Sequence, residues 1–417
     1  METKRHAALS FIFITVLLDM LAFGIIIPVL PRLITNFLHG NIGQSSKYLG
    51  LFITVWAVMQ FFFAPVIGVL SDRYGRRPII LLSNFGLGID YIIMALAPTI
   101  GWLFVGRLLS GLTSSSGPTA NAYISDVTTP ETRSRAYGIF GAAFGLGFIL
   151  GPAAGGWLGH IDTRLPFWTA AAFSLLNAVY GYFILPESLP PERRASKMRW
   201  EKANPLGALK LLRSHHELFG LASVSFLNYL AHEVYVTVFV LYATLRYAWN
   251  ERDVGYSLAV VGITTMIVSA GLVGFLVKRY GERATLFYGL FLGALGFALF
   301  GASPKGWIFL LAIPVNALWG LAAPPLQTLM TRRVSVKEQG ELQGAVGSLR
   351  GIAMIVGPGI FSAVFAYFIS PGRFIPGAPW FLSAVFLLAA LGLAWVVAPK
   401  DEKSAQKEPS SPITMSA

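Results

Sequence analysis

Apolar runs of roughly bilayer-spanning length recur along the chain near 9–34, 48–70, 79–97, 101–125, 137–159, 167–185, 218–245, 254–276, 285–302, 306–330, 343–368 and 379–398. Most are separated by short polar breaks. The pattern predicts an all-α membrane protein of twelve transmembrane helices in two six-helix halves. One polar break is long: Pro190 to about His216, where Arg193, Arg194, Lys197, Arg199 and Lys202 stand among Pro190, Pro191 and Pro205. It divides six runs from six, giving an N-terminal bundle over 1–189, a cytoplasmic linker over 190–216 and a C-terminal bundle over 217–399. Residues 400–417 lack apolar periodicity and are expected to be a disordered cytoplasmic tail. The first run continues from Ala7 for a full span with no small-residue cleavage site, so it reads as a retained helix rather than a signal peptide.

Composition agrees: 55% of the 417 residues are hydrophobic and 12% are charged, too few charges for a soluble domain. The net charge of +12 is explained by topology. With the N-terminus inside, the inner segments hold 23 Lys and Arg, the outer ones hold 7, and Arg107 and Arg350 lie within spans. Both termini are therefore expected in the cytoplasm, and the chain in the cell inner (plasma) membrane, read as a monomer with no nucleic-acid partner. The absence of Cys excludes disulfides and thiolate metal sites. With no nucleophile–base pair, metal cluster or phosphate-binding loop in view, neither an enzyme nor a cofactor is expected.

The tightest polar break is Gly68-Val69-Leu70-Ser71-Asp72-Arg73-Tyr74-Gly75-Arg76-Arg77-Pro78. Glycines permit the reversal, Asp72 can accept from free backbone donors, and Arg73, Arg76 and Arg77 favour the cytoplasmic surface. A second copy, with Arg279-Tyr280-Gly281 at its centre, follows at an offset of 206 residues, with Lys278 where Asp72 was. The same offset relates Gly138 to Gly344, Gly141 to Gly347, Gly151-Pro152 to Gly357-Pro358 and Pro118 to Pro324. The halves are thus parallel repeats about an axis along the membrane normal.

Helix 5 carries Gly138, Gly147, Gly151-Pro152, Gly155 and Gly156, a stripe of small residues that admits another backbone closely. Generic close packing is the alternative. Asp19 in helix 1 stands in mid-span, which costs a few kcal/mol on insertion scales and calls for a cavity or a cation. Asp90 in helix 3 and Arg107 in helix 4 are its expected partners. One arginine between two carboxylates can hold one ionised while the other exchanges a proton; a static buried pair is the alternative. Asp126, at the end of helix 4, reads as a solvated loop charge.

The hairpin from Gly68 to Pro78 resembles the loop between helices 2 and 3 of the major facilitator superfamily. In that family the aspartate and arginine form a charge-relay latch on the cytoplasmic side, which implies a gating role for Gly68, Asp72, Arg73, Gly75, Arg76 and Arg77. The glycine spacing of helix 5 resembles the motif of its drug/proton antiporters. Helix 1, the run Ala57 to Pro65, Asp90, the Arg107 region, Trp249-Asn250, Val254 to Ala259, Leu321 to Gln327 and Gln339 to Gly344 together resemble the bacterial tetracycline/proton antiporters across nearly the whole chain. The resemblance implies proton-coupled efflux of amphipathic, tetracycline-like molecules, with Asp19, Asp90 and Arg107 in coupling. The substrate there usually travels as a divalent-cation chelate.

The chain departs from that family where it expects a histidine in helix 8 and an aspartate in helix 9: the regions read Ile263 to Met266 and Leu292 to Leu295. Helix 7 instead holds His232-Glu233, and helix 11 holds Arg350. Glu233 is the expected replacement proton carrier, modulated by Arg350 or His232; a Glu233–Arg350 structural pair is the alternative. Gln60, Asn228, Asn316 and Gln327 are mid-span polar groups able to bond a ligand or a neighbouring helix. Tyr91, Tyr229 and Phe226 are candidate aromatic contacts, while Trp200, Trp249, Trp307 and Trp380 are expected in interface belts. A metabolite or sugar uptake carrier, or a non-transporting sensor, are the competing functions.

Overall fold

The computed structural model describes residues 2–114, 116–196, 204–214, 216–335 and 338–399. The N-terminal part comprises α1 (Glu2–Ile26), α2 (Leu30–Phe37), α3 (Ile42–Tyr74), α4 (Arg76–Leu96), α5 (Ile100–Thr113), α6 (Ser116–Val127), α7 (Pro130–Ile161) and α8 (Leu165–Ile184). The C-terminal part comprises α9 (Lys210–Ser214), α10 (His216–Tyr247), α11 (Glu251–Ile267), α12 (Val273–Ala302), α13 (Gly306–Ala317), α14 (Ala323–Thr331), α15 (Gln339–Phe368) and α16 (Ala378–Val397). Among the described residues there is no strand. Ten helical stretches among them are long and apolar enough to cross a membrane. One of them, Glu251–Ala302, runs for 52 residues and reverses at Gly281.

Local chemistry sets the breaks. Pro28 cannot donate a backbone hydrogen bond, and the first apolar run divides there into α1 and α2. Asn41 caps α3 by accepting from the Gln44 amide at 2.9 Å, and Asn250 and Asp253 form a reciprocal capping box on α11. The repeat-related Gly75 and Gly281 have φ of +107° and +85°, where a side chain is disfavoured, so both copies of the hairpin need glycine there. The spans extend beyond the apolar runs, because helical backbone satisfies its own polar groups past the hydrocarbon edge. The run expected over 101–125 is divided, with Thr113 ending α5 and Ser116 starting α6.

The halves meet along two seams, α3 against α15 and α7 against α11. At the first, Ser46 donates to the Ser362 carbonyl and Thr54 to the Ile355 carbonyl, both at 3.2 Å. A Cβ on Gly50 would stand 2.9 Å from the Pro358 carbonyl. At the second, a Cβ on Gly255 would overlap the Pro152 carbonyl, and one on Gly156 would lie 3.0 Å from the Gly255 Cα. These contacts occupy the end of the molecule away from the Gly68–Pro78 hairpin. Toward the hairpin end, the positions of Gly68, Gly138, Gly141, Gly145, Gly271, Gly274, Gly340 and Gly347 have nothing within 4 Å. The two halves are closed together at one end and splayed at the other.

Part of the linker is packed rather than extended: Leu211 and Leu212 join the core, and Ser348 of α15 donates to the Pro205 carbonyl. Lys197, Arg199, Trp200, Lys202 and the tail beyond residue 399 lie outside the described residues. Trp380 is not in an interface belt. It is fully buried among Tyr235, Phe300 and Phe309, in an aromatic core of the C-terminal half. Trp307 is exposed.

Candidate functional site

The N-terminal half concentrates charge in its interior. Asp90 on α4 is fully buried and takes the Arg107 guanidinium of α5 at 2.8 Å. Its Oδ1 has no hydrogen-bond partner and sits against Gly106, where a Cβ would come within 2.5 Å. Gly106 thus provides the space in which the pair forms. Arg107 also reaches the Met94 sulfur at 3.3 Å. Removing one member of such a pair strands the other charge, at a cost of about 3–5 kcal/mol in buried settings.

Asp19 is nearly as buried and is held by amides. Asn177 of α8 donates to its Oδ1 at 3.0 Å and to the Thr15 carbonyl at 2.9 Å. Asn84 of α4, oriented to satisfy both of its ends, donates to Asp19 Oδ1 at 2.9 Å and accepts from Asn177 at 3.0 Å. In direct contact, Arg107 pairs with Asp90, and Asp19 sits in an amide cradle. Gln60 donates to the Ser114 carbonyl at 3.1 Å, holding α3 to the break between α5 and α6. Tyr91, a candidate ligand contact, is buried in the core.

In the C-terminal half Glu233 of α10 is buried against α15, where a Cβ on Gly357 would lie 2.6 Å from its Cβ and Cγ. Arg350 lies two turns before Gly357 on α15, hence on nearly the same face. It is exposed and is the charged neighbour of Tyr229, His232 and Glu233. Among the described residues no ion pair involves Arg350, so the alternative reading of a direct Glu233–Arg350 pair is not what the structure shows. The His232 ring lies 5.7 Å from Trp319, tilted by 34°, and Trp319 donates to Asn228 at 2.7 Å. Trp319 comes from a short 3-10 turn, Leu318–Leu321, between α13 and α14. Asn316 accepts from Tyr235, and Gln327 keeps a buried, unpartnered Nε2. Phe226 and Tyr229 are half-buried beside this group.

The glycine stripe of α7 serves two neighbours. Cβ atoms on Gly147, Gly151 and Gly155 would collide with Met20, Gly24 and Ile25 of α1, whereas Gly156 faces Glu251 and Gly255 of α11. Gly138 touches nothing. The stripe binds the helix that carries Asp19 and also forms the seam between halves.

The hairpin is a network within its own half. Asp72 pairs with Arg76 at 2.6 Å, and Arg76 also pairs with Asp126 at 3.1 Å and donates to Ser71 at 3.0 Å. Asp126 further accepts from Ser188 at 3.1 Å, which corrects its reading as a solvated loop charge. Arg73 lies over the Tyr74 ring, and Arg77 over Tyr182. Glu187, unnoticed in the sequence, accepts from the Arg76 and Arg77 amides at 2.8 and 3.3 Å and so caps the start of α4. A Cβ at Gly75 would overlap that carboxylate. The second copy of the hairpin is not uncharged: Glu282 pairs with Arg332 at 2.6 Å. At the opposite end, Arg32 of α2 reaches Glu251 of α11 at 3.2 Å, the one ion pair among the described residues that joins the halves. It borders a cavity of about 250 Å³ lined from both sides by Thr35, Asn36, Thr244 and Val254.

A family description, Major Facilitator Superfamily, matches residues 12–358 and 221–414. The tetracycline resistance protein, class C, of Escherichia coli is 36% identical over 388 residues, 93% of this chain and 96% of that protein. The class G protein of Vibrio anguillarum is 36% identical over 374 residues, 90% of this chain and 93% of that protein. Among solved structures, the human organic anion transporter MFSD10 (TETRAN) aligns with a TM-score of 0.68 over 94% of this chain and 99% of that one, at 23% identity. The apolar spans, the two glycine-lined seams and these similarities agree, and the chain belongs to the major facilitator superfamily as a multi-pass membrane transporter.

Proposed function

We propose that the protein exports amphipathic, tetracycline-like small molecules in exchange for protons by alternating access. The observation that carries this reading is similarity to tetracycline resistance proteins along almost the entire chain, at 36% identity for class C. Twelve spans form two bundles, 1–189 and 217–399, with both termini in the cytoplasm of a monomer in the inner membrane. On that placement the splayed end faces the cytoplasm, the arrangement suited to accepting substrate from inside. Asp19, Asp90 and Arg107 handle the exchanged proton. Glu233, Arg350, Gln60 and Asn228 belong to the substrate side of the pathway. The Gly68–Pro78 hairpin, through Asp72 and Arg76, governs closure of the cytoplasmic side. Gly147, Gly151, Pro152, Gly155 and Gly156 keep the opposite seam tight, with Gly138 free for the other state.

Everted vesicles containing the full chain test this directly. A proton gradient should drive tetracycline inward, and adding the drug should discharge the gradient. Gradient-independent entry, or entry only of a sugar or metabolite, would instead identify an uptake carrier.

A further inference from the structure

We infer that Arg350 is the substrate-recognition cation of the pathway, and that it selects planar amphiphiles carrying an anionic group. The inference rests on the export reading above and specifies its substrate class. A guanidinium in mid-span is costly unless something compensates it. Arg107 shows the usual solution, a carboxylate at 2.8 Å. Arg350 has no such partner: it is exposed, forms no ion pair among the described residues, and projects from the face of α15 that meets α10.

Its surroundings toward α10 are aromatic and polar rather than aliphatic. Tyr229, the exposed His232 and Glu233 are its neighbours on α10, and the His232 ring continues into Trp319, itself fixed by its bond to Asn228. On the other side of α15, Gly351 abuts the ring of Phe61 on α3. A fork of N–H donors beside aromatic faces suits a flat molecule with a carboxylate or phenolate, since guanidinium binds planar oxyanions in two-pronged fashion and the rings stack on the remainder. Glu233 then has a definite part. It forms no ion pair with Arg350 but is the carboxylate that feels its charge, so a substrate anion bound to the guanidinium would be set against Glu233 through the same field. The proton exchanged against substrate is left to the Asp90 side.

Two xanthene dyes of similar shape and opposite charge, fluorescein and rhodamine 123, separate recognition from coupling. Binding is read by fluorescence anisotropy on the full chain in nanodiscs, with no gradient. The wild type should prefer fluorescein. Arg350→Gln should weaken fluorescein about tenfold, the loss of one charge-assisted contact, while rhodamine 123 binding is retained or tightened as like-charge repulsion is lost, and Arg350→Lys should fall between. Retained rhodamine 123 binding certifies the fold of each variant. The inference is overturned if the wild type binds neither dye or prefers rhodamine 123, or if Arg350→Gln weakens both dyes alike. Proton release on dye addition in proteoliposomes is measured separately: binding as expected without proton movement would sink the antiport reading and leave Arg350 in its role.

Discussion

The two halves share a scaffold but not a charge plan. At the hairpins the 206-residue offset relates Arg76 to Glu282 and Asp126 to Arg332, and both pairs form, with polarity reversed. In the interior the offset relates Asp19, Asp90 and Arg107 to Ser225, Gly296 and Ile313, and it relates Glu233 and Arg350 back to Ile27 and Phe144. A surface ion pair needs only opposite signs in a given place, so either polarity serves. Interior charges are expensive, and each half carries only those that its own task requires. The N-terminal half holds its cation against a carboxylate, and the C-terminal half leaves its cation open.

The largest effect should follow from breaking the paired cluster. Arg107→Ala strands Asp90 in a fully buried position, so gradient-driven tetracycline uptake should fall below about a tenth of wild type, with less protein extracted in folded form. Asp90→Asn leaves Arg107 unpaired but retains volume and should abolish proton exchange while keeping more of the fold. If Asp90→Asn exchanges protons normally, the N-terminal half is a structural core and the contrast between the halves loses its functional meaning.

The next effect comes from the open side. Glu233→Gln removes the carboxylate that feels the Arg350 charge. Fluorescein should bind several-fold more tightly, and drug-driven proton movement should persist. Loss of proton movement in that variant would return the exchanged proton to Glu233 and reverse the division of labour proposed for the halves.

A smaller effect is expected at the closed seam. Arg32 is nearly half-exposed while Glu251 is buried beneath it, so screening limits the pair to a modest contribution. Glu251→Gln should shift the population toward the state open at that end. Spin-label distances between positions 36 and 244, both on the bordering cavity, should broaden toward longer values. Unchanged distances would mean that the glycine contacts at Gly156 and Gly255 close the seam unaided.

Much of the scaffold was legible in the sequence because it is written in local signals. The apolar runs, the glycine stripe and the repeat-related Gly75 and Gly281 each follow from chain-local requirements of length, close approach or positive φ. The interior was harder to read. Asp19 invited a cation; its amide partners, Asn84 and Asn177, look unremarkable in apolar runs and are brought together only by packing of α1, α4 and α8. Glu187 caps α4 from 111 residues away, a distance no capping pattern spans. The Glu282–Arg332 pair was hidden in the same way, since its repeat-related counterpart Arg76–Asp126 forms only through the packing of α4 on α6.

The smallest effect tests that reversed polarity most sharply. In the C-terminal half Glu282 and Arg332 pair at a partly exposed surface, so Glu282→Arg or Arg332→Glu should cost at most about 1 kcal/mol, and the double exchange should recover it. In the N-terminal half the same exchange, Arg76→Glu with Asp126→Arg, should not recover. Arg76 also holds Asp72 and Ser71, and Asp126 also holds Ser188. The swap would therefore set the introduced carboxylate against Asp72, which Arg76 meets at 2.6 Å across the Gly75 reversal, and lose the hydroxyl contacts. Thermal unfolding and tetracycline uptake of the two double variants give the comparison. Recovery in the C-terminal half alone means that only the first hairpin is a network built around one arginine. Recovery in both would reduce the first hairpin to an interchangeable ion pair, and its gating role would have to rest on Asp72 by itself.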